Sequence, residues 1–415
     1  MPERTRIDID LGRIERNAKT LRAAVGGDAA TPAPKLCAVV KKEAYGLGAV
    51  QVAHRLLRAG ASMLCVYGPE EAEALVKGAI TAPILVLMPV WELKRTDLLY
   101  RPAVAETLHL AVHDPQQIDT LNGVGHTFGI RLPVHLYLDT GMSRSGLSRE
   151  QFDAAVARIA AGGRGAYLRL AGVYTHFATA DSDPAFLDAQ RQRFCEAVDA
   201  HRGTLPGDVI VHAANTFATL RGPAYHFDMV RPGLGLFGYG PGVMADPPAG
   251  GLPTLEHAVR WVSRVIHVQA YPQSSPVGYG STARVERRSL LGVIPVGYAD
   301  GYPVALGNKG VVRLARTDRS GEPAWWDKKR IVDAPVLGRV NMDQIVVDLT
   351  DACAAFGLPI DGQDDRTREL VGAEVELISG DAEAANTVPK LAALADTNAY
   401  EILCRLHPNI PRRYV

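Results

Sequence analysis

The chain has 415 residues, 47% hydrophobic and 22% charged, the balance of a soluble globular protein of about two domains. Its 45 Lys+Arg match its 45 Asp+Glu, so no global field draws it to nucleic acid or to an anionic membrane. The start, MPERTRIDID, lacks the apolar core of a signal peptide, and no run approaches the roughly 20 apolar residues of a membrane span. The expectation is a cytoplasmic protein whose partners are small molecules and a second copy of itself.

In chain order, TRIDIDL reads as a strand over residues 1–10 that can pair with the far part of the chain. Eight further strands follow up to about residue 240: KLCAVVK, SMLCVYG (62–68), APILVLM (82–88), LHLAVH (108–113), VHLYLD (134–139), LAGVYTHF (170–177), VIVHAAN (209–215) and FDMVR (227–231). Most are near-continuous apolar runs, as required when both faces of a strand are buried. Helical patterns at 11–25, 48–60, 69–78, 148–162 and 184–201 alternate with them, the sequence signature of βα units. Eight such units within about 250 residues predict an α/β fold, an N-terminal (β/α)8 TIM-type barrel.

After GPGVMADPPAGGLPT (240–254), dense in Gly and Pro, the texture changes. AVRWVSRVIHVQAY, SLLGVIPVGY, GVVRLAR, QIVVDLT, AEVELIS and YEILCRL read as strands, with one helix at VPKLAALA. The predicted division is therefore a barrel over 1–250 and a mostly β C-terminal domain over 251–415. Five cysteines, odd in number and scattered without C-x-x-C pairing, predict free thiols rather than a disulfide framework or zinc site.

In such a barrel the chemistry sits at the C-terminal ends of the strands. Lys41 ends the first strand, Tyr137 and Asp139 end the fifth with Arg144 just beyond, His176 ends the sixth, Asn215 the seventh and Arg231 the eighth. Taken singly, each has a bland explanation: a snorkelling surface lysine, a satisfied core histidine, a structural arginine. Together they make a cationic, hydrogen-bonding mouth. Without clustered Asp/Glu/Cys/His, that set favours an organic anionic cofactor over a metal. Gly233-Leu-Gly-Leu-Phe-Gly238 matches G-x-G-x-x-G, but Pro232 precedes it and YGPGVMADPPAGG follows where a helix should open, so the dinucleotide reading fails on context. The same glycines still leave backbone N–H groups to approach a phosphate after the eighth strand. LDTGMSRSG is not the G-x-S-x-G of hydrolases, because Ser145 takes the final glycine position.

AVVKKEAYGLG, LDTGMSRSG, YTHFATAD, HAAN, MVRPGLGLFGYG, VGYGST, IPVGYADGYP, GRVNMDQ and TNAYEILCRL stand in this order along nearly the whole chain. In these motifs the sequence resembles the alanine racemases, enzymes of the fold type III class that use pyridoxal 5′-phosphate (PLP). The resemblance implies a homodimer with shared active sites and the interconversion of L- and D-alanine for peptidoglycan. It implies Lys41 as the lysine linked to the cofactor and the base on the D side, and Tyr279 of the partner subunit as the base on the L side. It implies Arg231 against the pyridine nitrogen, and His176 between Arg231 and Tyr279. Tyr45, Asn215, Thr216, Gly233 and Leu234 would complete the cofactor site. Arg144 and the Met342 backbone would receive the substrate carboxylate, with Asp181, Tyr298 and Arg339 along the entry path.

The chain departs from the family pattern at several positions. Tyr137 replaces a lysine that becomes carbamylated in many members and orients the arginine matching Arg144. Asn341 replaces a cysteine, Val304 an entryway arginine, and Pro408 or His407 a pocket tyrosine. Lys42 replaces an alanine and Glu43 an Asn or Asp; Lys42 is expected to pair with Glu43 or another acid and take no part in the chemistry. These changes leave two further readings, a racemase of broader specificity acting for instance on serine, and a non-catalytic PLP-binding barrel. Residues 316–333 and 357–369 are expected to be surface insertions.

Overall fold

In a computed structural model of the chain, eight short strands pair in parallel and close into a barrel. The structure describes all residues except 1–2, 27–32, 161–165, 241–243, 245, 249–250, 317–322, 324, 326, 328–329 and 361–364. Two compact units emerge, Arg13–Leu255 and a second made of Met1–Gly12 with Glu256–Val415.

In chain order, β1 (Thr5–Ile9) belongs to the second unit, and the barrel is built from β2 (Lys35–Val39), β3 (Met63–Val66), β4 (Ile84–Val86), β5 (Leu108–Val112), β6 (Leu132–Tyr137), β7 (Leu168–Tyr174), β8 (Ile210–His212) and β9 (Met229–Val230). Closure comes from β2 pairing with β9, Lys35 opposite Met229. Residues of β3, β4 and β5 are buried throughout, which explains why their sequences do not alternate. All eight predicted strands are present within a few residues. The first is shorter than predicted: it stops at Val39, and Lys41 opens a separate turn.

The five predicted barrel helices occur as Leu11–Val25, Ala49–Arg58, Pro69–Lys77, Arg149–Ala160 and Pro184–Ala200. Pro115–Phe128, Tyr100–Val104 and Thr216–Arg221 are helices outside the predicted set, and the boundaries of Pro115–Phe128 are marked in the sequence. Asp114 caps it by accepting the Gln116 N–H at 2.7 Å, Pro115 opens it, and Gly129 closes it at φ 65°.

The second unit centres on a nine-stranded sheet. Its strands after β9 are β10 (Val259–Arg264), β11 (His267–Tyr271), β14 (Ser289–Ile294), β15 (Val311–Ala315), β16 (Ile331–Leu337), β17 (Ile345–Asp348), β18 (Glu374–Ile378) and β19 (Arg412–Tyr414); β12 (Pro276–Val277) and β13 (Ala283–Arg284) form a separate ribbon. The sheet runs β11-β14-β17-β16-β15-β18-β10-β1-β19, so β1 lies between β10 and the last strand of the chain. It is antiparallel to β10 and parallel to β19. Arg6, Asp8, Arg260, Glu374 and Glu376 form a continuous ion-pair network on β1, β10 and β18, with Trp325 stacked 4.5 Å from the Arg260 guanidinium.

Two expectations for this unit need correction. YEILCRL is a helix, Ala399–Cys404, not a strand. Asn398 caps it by accepting the Glu401 N–H at 3.0 Å, and Ala399, Ile402 and Leu403 are buried at helical spacing, which outweighs the strand-like apolar run. Ile331–Leu337 is a strand whose first three residues, 331–333, fall within the expected insertion 316–333. Much of 316–333 and of 357–369 otherwise lies outside the described residues.

Candidate active site

The β2 strand delivers Lys41 to the C-terminal mouth of the barrel and then breaks in an unusual way. Lys42, Glu43, Ala44 and Tyr45 all have positive φ, between 51° and 60°, so the chain makes a left-handed turn without a glycine. For L-residues that conformation costs roughly 1–2 kcal/mol each, on the order of 4–8 kcal/mol for the four. Such a turn persists only where its surroundings over-determine it.

Several contacts do so. The Glu71 carboxylate accepts the Tyr67 N–H at 2.7 Å, the Lys42 N–H at 3.1 Å and the Gly68 N–H at 3.4 Å, and pairs with Lys42 Nζ at 3.2 Å. Burial pushes this carboxyl up, but the three N–H groups and the ammonium outweigh it and hold the group below its ordinary range. Glu43 accepts the Ala49 N–H at 3.2 Å, in the first turn of Ala49–Arg58. Ala44 is fully buried, and Tyr45 is 4% exposed, edge-on to Phe237 at 5.4 Å. Both departures from the family pattern thus have structural work here. Lys42 pairs with Glu71 rather than Glu43, 58% of its side chain in solvent.

On the neighbouring strand of the closed barrel, the turn after β9 meets Tyr45. A Cβ on Gly233 would lie 2.1 Å from the Tyr45 hydroxyl, so only glycine leaves room for it. Thr216 begins the helix Thr216–Arg221 after β8, and its hydroxyl oxygen accepts the N–H groups of Gly233 and Gly235, each at 3.1 Å. Asn215 caps that helix by accepting the Ala218 N–H at 3.0 Å, which fixes its side-chain oxygen on the backbone. Leu234–Phe237 is a single 3-10 turn, so no helix opens after the glycines, in keeping with rejection of the dinucleotide motif. Tyr45, Thr216, Gly233 and Leu234 are thereby gathered at one place, a cradle of hydroxyls and backbone N–H groups suited to a phosphate.

Arg231 follows β9 directly and is 4% exposed. Its guanidinium donates to the carbonyls of Thr175 at 2.9 Å and Ala213 at 3.1 Å, to His212 Nδ1 at 2.6 Å, and to His176 Nδ1 at 3.4 Å. His176 and Arg231 are therefore neighbours. Burial, then the charges of Arg231, Arg144 and Lys41, push the His176 imidazole down to about 3, so it is neutral at physiological pH. Arg144 stands exposed in the loop after β6, while Asp181 lies in the turn after β7.

Tyr137, at the position of the family's carbamylated lysine, is 2% exposed and stacked on Tyr174 at 4.7 Å with a 10° tilt. Its hydroxyl lies beside the Arg144 guanidinium. Burial raises the phenol above its ordinary value, and the Arg144 charge offsets this only in part. Tyr137 therefore serves as an uncharged aromatic wall where the family places an anion.

The remaining predicted residues belong to the second unit. Tyr279, 73% exposed, opens a 3-10 turn in which a Cβ on Gly280 would meet the Arg339 guanidinium carbon at 3.6 Å. Tyr298 and Met342 are held together by backbone bonds, Tyr298 N–H to the Asn341 carbonyl at 3.0 Å and Ala299 N–H to the Met342 carbonyl at 2.9 Å. Tyr298, Val304 and Met342 are 46%, 58% and 59% exposed, so like Tyr279 they are large apolar side chains facing solvent in the single chain.

Sequence reasoning missed three buried histidines beneath Arg231. His109, His135 and His212 lie on β5, β6 and β8, too far apart in sequence to form a spacing motif, and strand-interior placement was the one available signal.

Comparison with known proteins bears on the whole chain. The family model for the alanine racemase N-terminal domain matches residues 9–241, and that for the alanine racemase C-terminal domain matches 258–414. The chain is 35% identical over 413 residues to the alanine racemase of Symbiobacterium thermophilum, covering 98% of this chain and 96% of that protein. Among solved structures, it is similar to the alanine racemase of D-cycloserine-producing Streptomyces lavendulae, with a TM-score of 0.80, 30% identity and coverage of 100% and 98% of the two chains. It is also similar to the alanine racemase from Bartonella henselae, solved with covalently bound pyridoxal phosphate, with a TM-score of 0.76, 26% identity and full coverage of both chains. With both of its domains matched in order, the chain belongs to the alanine racemase family.

Proposed function

We propose that the chain interconverts L-alanine and D-alanine with bound PLP, that Lys41 and Tyr279 are its two acid/base groups, and that the product serves peptidoglycan. The observation that carries this reading is the convergence of Lys41, Tyr45, His176, Thr216, Arg231 and Gly233 on one end of the barrel. The donor set fits the cofactor: hydroxyls and N–H groups for its phosphate, a guanidinium for its ring nitrogen, an amine for its aldehyde carbon. When bound, PLP acidifies the substrate's α-proton by spreading the developing charge into its ring.

The rest falls to side chains. Racemisation takes a proton from one face of the α-carbon and returns one to the other, so two groups must flank it. Lys41 acts on the D side, and Tyr279 of a second copy on the L side. Arg231 does not release its proton, so it keeps the ring nitrogen unprotonated and restrains over-activation of the substrate. Neutral His176 accepts from Arg231 through Nδ1, which leaves its Nε2–H free to donate toward the incoming tyrosine. Arg144 and the Met342 backbone receive the substrate carboxylate, and Asp181, Tyr298 and Arg339 border the entry path. The exposure of Tyr279, Tyr298, Val304 and Met342 supports a homodimer in which each copy completes the other's site.

A broader amino-acid specificity is the second reading. It is favoured by Asn341 and Pro408, which stand where the family pattern has a cysteine and a tyrosine. The test is borohydride reduction of the PLP-loaded protein followed by peptide mapping, then racemisation assays on an L-amino-acid panel. Label on Lys41 with alanine as the best substrate is expected. Label on Lys42, or alanine turned over more slowly than serine, overturns the corresponding part.

A further inference from the structure

Arg231 is a buried cation with an unusual environment: among the described residues no carboxylate forms an ion pair with it. Its acceptors are two carbonyls, two imidazoles and the face of Tyr174, 5.2 Å from the guanidinium carbon. Behind it runs a row of rings. His212 Nε2 lies 2.8 Å from His135 Nδ1, and His135 Nε2 lies 2.8 Å from His109 Nδ1.

The protons in this row can be placed by elimination. A guanidinium has only donors, so His212 Nδ1 must present a lone pair to Arg231. The His212 proton then sits on Nε2 and is donated to His135 Nδ1. That places the His135 proton on Nε2, donated to His109 Nδ1, and the His109 proton on its own Nε2. A second proton on any ring would set N–H against N–H. All three imidazoles are therefore neutral Nε2–H tautomers with their lone pairs turned toward Arg231. Burial, reinforced by nearby charge, lowers all three, His109 to about 4 and the other two well below the ordinary imidazole value.

The barrel makes room for this row. A Cβ on Gly172 of β7 would lie 2.2 Å from His135 Nδ1, so glycine lets the row cross from β6 to β8. The β6–β7 register shifts between Val134 and His135. Tyr174 covers His212 face to face at 5.0 Å and 5°, which fixes that ring's plane.

We propose that His109, His135 and His212 form a one-way row that holds Arg231 as a fully charged, donor-only group, with His135 as the positioning residue that enforces its direction. Three aligned imidazole dipoles take the place of a counter-ion. Because none is an anion, the net charge of the guanidinium stays uncancelled toward the site. The row also blocks proton delivery from the barrel interior, since reversing it would require Arg231 to give up a proton. Its consequence for the cofactor rests on the function proposed above; the tautomers do not.

The test uses holoenzyme labelled with 15N-histidine, read by two-bond 1H–15N correlations at neutral pH. All three rings are expected as neutral Nε2–H tautomers; an imidazolium or an Nδ1–H form in any of them overturns the row. In His135→Phe, the cofactor absorbance is expected to shift and kcat to fall about tenfold, KM changing less than about twofold. His135→Gln, which both accepts and donates, is expected to restore most of both and serves if the Phe variant does not fold. Unchanged absorbance and kcat in the Phe variant, or in its absence a Gln variant with kcat lost but spectrum and His212 tautomer unchanged, overturn the positioning role. Wild-type protein with the expected tautomers but no PLP absorbance would instead overturn the function.

Discussion

At the scale of single residues, KLCAVVKKEAYGLG poses a choice between two adjacent lysines. Strand alternation predicts opposite faces for them, and the structure gives a different physical reason for their separation. The strand has already ended, and the left-handed turn sends Lys42 outward to Glu71 while Lys41 stays at the mouth. Lys42 is exposed, so its ion pair should be worth at most about 1 kcal/mol, and Lys42→Ala should change stability by no more than that. Glu71→Ala removes the acceptor of three backbone N–H groups and should cost about 1–3 kcal/mol in urea denaturation. The pH dependence has a definite sign. The Glu71 carboxyl is lowered on folding, so its contribution is present above the ordinary carboxylate range and is lost as pH falls through the depressed value. Lys42 is raised, chiefly by its hydrogen bond to Glu71, so its share is lost only as pH climbs past the ordinary lysine range. The stability difference between wild type and Glu71→Ala should therefore be flat near neutrality and shrink in acid; a difference that grows in acid would contradict this account. An acidic partner for Lys42 was legible in the sequence, but its identity and the turn were not, because Glu71 lies 29 residues from Lys42 and a left-handed run of non-glycine residues has no propensity signature.

At the scale of elements, the strands were legible and some of their ends were not. Apolar runs marked all eight barrel strands, since burial on both faces is written directly in composition. The misread segment YEILCRL is short, and a helix capped by Asn398 and a strand look alike over so few residues. The cradle was partly legible: the Gly233–Gly238 run pointed to phosphate, but why glycine is needed at 233 depends on Tyr45, brought there by β2 and its turn. Gly233→Ala should force the Tyr45 ring out of its contact with Phe237. An overpacking cost of about 1–3 kcal/mol is expected in denaturation, together with weaker PLP binding in an absorbance titration. Native-like affinity for PLP would remove Gly233 from the cradle.

At the scale of the whole molecule, the chain holds its two acid/base candidates in different units, Lys41 in one and Tyr279 in the other. If each copy completes the other, Lys41→Ala and Tyr279→Phe proteins should be inactive alone and active when unfolded and refolded together. Random pairing leaves half the dimers mixed, each with one intact site of two, so recovery should reach about one quarter of wild type. No recovery, with both variants dimeric, would show that sites are not shared. The family pattern makes this arrangement an expectation of the sequence, whereas the histidine row was not legible there, because only folding brings β5, β6 and β8 together.

The placement of β1 has a consequence for synthesis on the ribosome. Ile9 pairs with Val259, and Ile7 with Arg412 at the other end of the chain. At about 5–20 residues per second, the emerging N-terminal strand waits on the order of ten seconds to a minute before its first neighbour exists. During that interval an open strand edge invites pairing with other nascent chains. Arg6 and Asp8, which later join the ion-pair network of the finished sheet, first act as gatekeepers, interrupting the apolar run of TRIDI while it has nothing to pair with.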